Sequence, residues 1–444
     1  MKFKLSHIFF IVFTTLCFGV ASAQGSFKLP SNYNKQTFNF KLLSNLIVFP
    51  IEVNGKQLNF ILDSGVSQNI LFNLSSKDSL DLKNAKSIKL RGLGSEEPVD
   101  AIVSTGNIFK IKKIVGNNQK VYVVFNNNFD LSSKLGLTIH GIVGYELLKN
   151  FTVKINYNSK KITFYKSKVY NYKNCKKCEI FDLEFYQNKP FINVEAKLTS
   201  EKSTPVKLLI DSGGSDAMWL FEGSHPDITS PTKYFNGFLG EGLSGAIYGK
   251  RAKIKALKFG KYEIENPTVS YPDSISIANA RQHKQRNGSM GGSILKRFIV
   301  TFDYKNNKIG LKKGVNFKAP FRYNMSGIEL VHNGKILVKE TENTSFSYGV
   351  KQEGANNIIL DYGYKYKFKP SYRIFKILEG SPAHEVGLLK DDILIKVNGK
   401  YVHTMNFEQV ISHFYYKKKK KVSVTVERFG QHYVFNFYLR NILE

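Results

Sequence analysis

A mainly β architecture, made of two copies of one lobe followed by a smaller α+β unit, is predicted by three features of the 444-residue chain. The first is composition: 35 Phe and 24 Tyr, with no alanine-rich stretch, favour strands over helical bundles. The second is an internal repeat. Residues 58–72 read LNFILDSGVSQNILF and residues 207–221 read KLLIDSGGSDAMWLF, each an apolar run into Asp-Ser-Gly and an apolar segment out of it. Another pair follows in the same order. GIVGYELLKNFTVKINYNSKKITFYK starts at Gly141 and GSMGGSILKRFIVTFDYKNNKIGLKK at Gly288, so Gly144 meets Gly291, Phe151 meets Phe298 and Tyr157 meets Tyr304. The aspartates are 148 residues apart and the second pair 147, which marks a duplication. The third feature is the segment after about Lys318, which repeats neither copy.

The elements follow in chain order. Residues 1–23 read as a secretory signal peptide: basic Lys2 and Lys4, an apolar run from Ile8 to Val20, and Ala21-Ser22-Ala23 as the cleavage site. That run is too short for a bilayer span, and nothing later is long and apolar enough. The expectation is export to the periplasm, the cell surface or the medium, with no transmembrane segment. Residues 24–165 form the first lobe, where FPIEVNGKQLNFIL is a hairpin turning at Asn54-Gly55. FTVKINYNSKKITFYK is a strand, a polar turn and a strand, preceded by a helical turn at Tyr145–Lys149. Residues 166–180 link the lobes and carry Cys175 and Cys178, which can close a small loop in an oxidising compartment. The second lobe, 181–318, repeats the plan, with KPFINVEAKLTSEKSTPVKLLI as its hairpin and a helical turn at Ser293–Arg297. Residues 319–444 hold a tight turn, a short helix ended by Gly387, a strand into Asn398-Gly399, a helix from Asn406 to Tyr416 and the hairpin VSVTVERFGQHYVFNFYL.

The net charge of +30 becomes +28 once the signal segment, with two lysines and no acid, is removed. The lysines are scattered, and no zinc-finger, RRM or helix-turn-helix pattern supports nucleic-acid binding. The run Lys417–Lys421 reads as a solvated helix end. His384 in HEVG lacks the second histidine of a zinc site, and GLSG at Gly242 is not a nucleophile elbow. No metal or cofactor is called for, and a monomer is expected.

The duplicated Asp-Ser-Gly carries the chemistry. If the lobes pack about a pseudo-twofold axis, Asp63 and Asp211 face each other across a cleft. Two carboxyls in contact hold one proton between them, so one serves as base toward a water while the other protonates a carbonyl oxygen. Ser64 and Ser212 are expected to orient the carboxylates, and Gly65 and Gly213 to allow a tight turn and close approach of the other lobe. Gly144 and Gly291 let a neighbouring strand pass close, and Trp219 is expected to pack beside its aspartate strand.

The doubled Asp-Ser-Gly, each followed about 80 residues on by Gly-x-x-[apolar]-Leu, resembles the retropepsin-like and pepsin-like aspartyl proteases. EGSPAHEVGLLKDDILIKVNGK resembles the core of a PDZ domain. Together they resemble secreted bacterial aspartyl proteases with a C-terminal PDZ module. The resemblance implies a two-lobed β fold with catalytic Asp63 and Asp211. It also implies flaps over the cleft, one at RGLGS (91–95, with Gly92 and Gly94) and one at GFLGEGLSG (237–245, with Gly240 and Gly242). In the PDZ-like unit, Gly327 and Ile328 of MSGIEL are placed in a loop that holds a peptide C-terminus by strand addition. The implied function is an aspartic endopeptidase acting on peptides or unfolded proteins. The alternatives are an inactive peptide-binding scaffold of the same fold and a basic, envelope-associated adhesin.

Overall fold

The structure is a computed structural model. It describes residues 25–444 except 75–79, 95–96, 126–130, 173–174, 176, 200–201, 342–363, 416–419, 442 and 444. Residues 1–23, expected to be a signal peptide, Ser95 of the first expected flap and Lys417–Lys419 of the lysine run therefore lie outside the described residues.

Each lobe is organised around the strand that ends at its aspartate. In the first, strands Leu46–Val53 and Lys56–Leu62 pair antiparallel, turning through Asn54 and Gly55 at φ 46° and 89°. A two-residue turn with both φ positive matches the strand twist, and Asn-Gly tolerates it. The short strand Gly141–Val143 inserts beside Lys56–Leu62 in parallel, with Val143 opposite Leu62, and pairs antiparallel with Asn69–Leu71 on its other edge. The second lobe repeats the arrangement. Gly288–Met290 runs parallel to Ser203–Ile210, with Met290 opposite Ile210, and antiparallel to Met218–Leu220. A repeat seen in sequence is thus a repeat in topology.

The lobes join through a six-stranded sheet whose central pair is Phe151–Asn156 and Phe298–Asp303, one from each copy. Lys154 lies opposite Thr301, its own counterpart at the 147-residue offset. A residue that pairs with its duplicate sits on the pseudo-twofold axis, so the axis passes through this sheet. The apolar faces of both lobes and of this sheet merge into one core that includes Ile47, Phe60, Leu62, Val153, Leu208, Ile210 and Val300. Glu179–Asp182, at the end of the expected link, already pairs with Lys308–Lys313 of the second lobe. Cys175 and Cys178 are disulfide-bonded.

The third unit has its own core around Ile328, Tyr372, Ile374, Val397, Val410, Phe414 and Val424. Its sheet runs, in spatial order, Ile328–Thr341, Tyr364–Ile377, Ile393–Val397, Lys421–Arg428 and Gln431–Tyr438, with Ile328–Thr341 at an edge. The short helix Pro382–Glu385 is capped by the Ser381 side chain, and Gly387 follows at φ 86°. The last helix covers Phe407–Ser412, shorter than its expected Asn406–Tyr416. Asn406 is its cap, forming a reciprocal capping box with Gln409, and Phe414 turns inward to the core on an N–H bond to the Ile411 carbonyl.

Candidate active site

Both aspartates are anchored first through their backbones. Asp63 N–H donates to the Val143 carbonyl and Asp211 N–H to the Met290 carbonyl, each at 2.9 Å, so the inserted strand fixes where each Asp-Ser-Gly turn begins. Behind the turns there is no room for a side chain. A Cβ at Gly144 would lie 2.1 Å from the Asp63 carbonyl oxygen, and one at Gly291 2.4 Å from that of Asp216. The two glycines of the repeat therefore let the helical turns Tyr145–Leu148 and Gly292–Leu295 cradle the aspartate loops.

The carboxylates are oriented by backbone N–H groups. Gly65 N–H donates to Asp63 Oδ1 at 2.7 Å and Gly213 N–H to Asp211 Oδ1 at 3.1 Å. The serines do something other than expected. Ser64 Oγ donates to the Ile210 carbonyl (2.7 Å) and accepts from Ser212 N–H (3.0 Å); Ser212 Oγ donates to the Leu62 carbonyl (2.9 Å) and accepts from Ser64 N–H (2.9 Å). The hydroxyls are drawn away from the carboxylates because each lobe offers the other an unpaired carbonyl and N–H just before and after its aspartate. Four buried bonds thus stitch the lobes directly beneath the acids.

The acids meet over that stitch. Each carboxyl lies against the other lobe's Asp-Ser-Gly turn: a Cβ at Gly213 would lie 2.3 Å from Asp63 Cγ and one at Gly65 3.4 Å from Asp211 Cγ, so glycine at 213 admits this approach. Burial, and then the Asp211 charge, push the Asp63 carboxyl up to about 8. Burial raises Asp211 too, but the Arg286 guanidinium and the Gly213 and Gly214 N–H groups favour its charged form. The Arg286 field and these N–H groups thus favour the negative charge on Asp211 and the shared proton on Asp63.

The acids face a cavity of about 1280 Å³. Its roof is made by two loops that meet tip to tip. Gly92 N–H donates to Ser244 Oγ at 3.1 Å and Ser244 N–H to the Leu93 carbonyl at 2.9 Å. Gly94 and Gly242 are needed for the contact, since a Cβ on either would come within 2.0 Å of the opposite backbone. Gly240 is not, because its Cβ direction is open. The first loop joins strands Lys86–Leu90 and Val99–Ile111, and the second is the hairpin Phe235–Gly242/Gly245–Lys253.

The third unit closes the far side of the same cavity. Gly327, at φ 84°, leads into Ile328–Val331, which line it opposite Phe407, Glu408 and Ile411 of the last helix. The Glu329 carboxylate, held above its ordinary range by burial, lies in the field of Arg251, Lys376 and Lys134 beside the second roof hairpin. The Lys134 ammonium pairs with Glu241 at 2.8 Å and sits 3.8 Å from the Phe238 ring centre. A second cavity of about 1290 Å³, between the hairpin and the third unit near Tyr248 and Arg440, contains neither aspartate.

Sequence reasoning missed two cations beside the acids. Lys189 and Arg286 line the cavity and act electrostatically on the pair. The duplication holds a signal for one of them: at the 147-residue offset Arg286 corresponds to Ile139, an apolar residue with no exposure. Trp219 also does more than pack. Its indole N–H donates to Asp216 Oδ2 at 2.9 Å, and Asp216 in turn pairs with Arg251 at 3.0 Å.

Comparison with known families agrees with this geometry. Residues 49–147, which contain Asp63, match the family model described as aspartyl protease, and residues 375–428 match that of the PDZ domain. A search of curated proteins found no match. The chain therefore joins an aspartyl protease domain to a C-terminal PDZ domain.

Proposed function

We propose that the protein is an exported aspartic endopeptidase in which Asp63 and Asp211 activate a water molecule between them. The observation that carries this reading is the pair of carboxyls, one from each lobe, brought together over the serine stitch. Ionised Asp211 removes a proton from water as its oxygen attacks the peptide carbonyl carbon. Asp63 gives its proton to the carbonyl oxygen, forming a tetrahedral gem-diol. Asp63 then takes the proton of one hydroxyl, Asp211 passes the water proton to the leaving nitrogen, and the C–N bond breaks. The pair ends with its single proton restored, and water is the only co-reactant. The meeting roof loops exclude solvent, which strengthens each of these electrostatic contacts.

The PDZ domain supplies the second half of the reading. Strand Ile328–Thr341 is an edge strand whose first residues face the protease cavity, so a peptide added there enters the chamber that holds the acids. Gly327 and Ile328, expected to hold its C-terminus, donate their N–H groups to Asn324 Oδ1 at 3.3 Å and Ser326 Oγ at 3.0 Å in the structure, so a bound peptide end would have to displace these side chains. Export rests on the apolar run and Ala21-Ser22-Ala23 of the first 23 residues.

The test is cleavage of a denatured protein by wild type, Asp63→Asn and Asp211→Asn. Each substitution is expected to cut kcat/KM by about 10²–10⁴-fold. Single variants that cleave as fast as wild type overturn the assignment. Wild type that binds peptides without cutting them identifies a peptide-binding scaffold instead.

A further inference from the structure

We infer that Lys189 and Arg286 form a carboxylate-recognition subsite beside the acids, which selects substrates carrying a negative charge within one or two residues of the scissile bond. The inference rests on the proteolytic reading above and adds its substrate class.

Arg286 is the stronger witness. It is 6% exposed, yet among the described residues its side chain's only hydrogen bond runs from Nε to the Gly288 carbonyl at 3.1 Å. Its guanidinium lies over the Phe221 ring, 5.1 Å from the centroid, and has no carboxylate within ion-pair distance among the described residues. A guanidinium offers five N–H donors in a planar fork suited to a carboxylate, and burying one without an anion is costly. Ile139, its counterpart in the first lobe, shows that the fold does not need a cation here. Asp211 supplies an opposite charge at longer range, but no carboxylate takes up the guanidinium's remaining donors among the described residues, and Arg286 lines the cavity, so a substrate carboxylate has a route to them.

Lys189 reaches the same place from another element. It begins strand Lys189–Lys197, just after a turn at Gln187 and Asn188 with φ 48° and 63°. The turn is held from both sides. Ser67 Oγ of the first lobe donates to the Gln187 carbonyl at 2.7 Å, and Tyr186 stacks on His283 at 4.3 Å, three residues before Arg286. The ammonium has neither a hydrogen bond nor an ion pair among the described residues, and it interacts electrostatically with Arg286 and both aspartates. Two preorganised cations that repel each other and, among the described residues, make no direct ion pair with a carboxylate, set in the wall of a substrate chamber, are complementary to an anion.

The carboxylate can belong to an Asp or Glu side chain or to the end of the peptide, and the experiment separates the two. Peptides differing only by Asp/Asn or Glu/Gln at each position flanking the cleaved bond, each with a free or an amidated C-terminus, are given to the full chain, to Lys189→Gln and to Arg286→Lys. Wild type is expected to prefer the charged member by about 10- to 100-fold in kcat/KM. Lys189→Gln is expected to bring that ratio toward one, and Arg286→Lys to reduce it. Calorimetric binding of the same peptides to Asp63→Asn gives a readout that does not need turnover. Peptides that bind with the acid preference but are never cut support the subsite and overturn the protease. Cleavage with equal rates for acid and amide members leaves the protease and overturns the subsite. A variant that slows both members equally also overturns it, because the cations then serve only the field around the aspartates.

Discussion

Where the first lobe buries Ile139, the second buries Arg286 beside its aspartate, and where the first has Val66 after Asp-Ser-Gly, the second has Gly214. The backbone plan of the two copies is nevertheless the same, down to the inserted strand and the N–H bond that fixes each aspartate. Groups on or near the pseudo-twofold axis have kept their identity because each must satisfy its own copy. A Ser64 changed alone leaves the Ser212 N–H and the Ile210 carbonyl unpaired, and a Ser212 changed alone does the same to the Ser64 N–H and the Leu62 carbonyl. Positions one layer out face different neighbours and have been free to diverge. The result is a symmetric platform under an asymmetric electrostatic field, and that field decides which acid holds the proton.

The sharpest test of this contrast is at the two glycines. A Cβ at Gly213 would strike the Asp63 carboxyl at 2.3 Å, whereas one at Gly65 would find its nearest atoms at 3.2 Å. Gly213→Ala therefore displaces the proton-donating carboxyl and is expected to lower kcat/KM by ~100-fold or more, with Gly65→Ala several-fold milder. Steady-state kinetics on the two variants decides it, and equal losses would erase the asymmetry.

The serine stitch gives the opposite expectation, equality. Ser64→Ala and Ser212→Ala each remove one buried donor–acceptor hydroxyl and leave an N–H and a carbonyl unpaired, at a cost of about 2–4 kcal/mol. Urea unfolding is expected to show the two costs agreeing within about 1 kcal/mol, and the double variant to cost less than their sum because the bonds form one network.

The proton on Asp63 makes stability and activity depend on pH. Between the ordinary carboxyl value of 3.8 and about 8, the folded chain retains a proton that the unfolded chain has released. Stability therefore falls as pH rises through that window and levels off above it. In the proposed mechanism cleavage uses the same proton, so its rate is expected to drop about tenfold per pH unit above about 8. Thermal melts and rate profiles across pH check both, and Asp63→Asn should flatten the stability slope.

The fold and the acid pair were legible because duplication converts a weak motif into a strong one: two Asp-Ser-Gly turns and two Gly-x-x-[apolar]-Leu segments share one spacing. The hairpin at Asn54-Gly55 and the paired helical turns came from local chemistry alone. What stayed hidden depends on partners distant in sequence. The direction of the Ser64 hydroxyl is set by Ile210, 146 residues away, and no local rule supplies that. Lys189 and Arg286 converge only after the second lobe has folded. Contact between the PDZ domain and the roof hairpin joins Lys134, Phe238 and Glu329 from three separate segments.

The smallest expected effect comes from a pair that the duplication preserved in sequence and separated in role. Tyr304 donates its hydroxyl to the Ser64 carbonyl at 3.4 Å, under the aspartate loop. Its counterpart Tyr157 is equally buried, but its hydroxyl has no partner among the described residues. Removing a satisfied hydroxyl loses a hydrogen bond, whereas removing an orphan relieves a desolvation cost. Tyr304→Phe should therefore destabilise by about 0.5–1 kcal/mol and Tyr157→Phe should stabilise by a similar amount, read from denaturant midpoints at constant slope. If the two changes share a sign, the second copy's tyrosine has taken no part in holding the aspartate loop, and the divergence of the lobes begins farther from the axis than these residues.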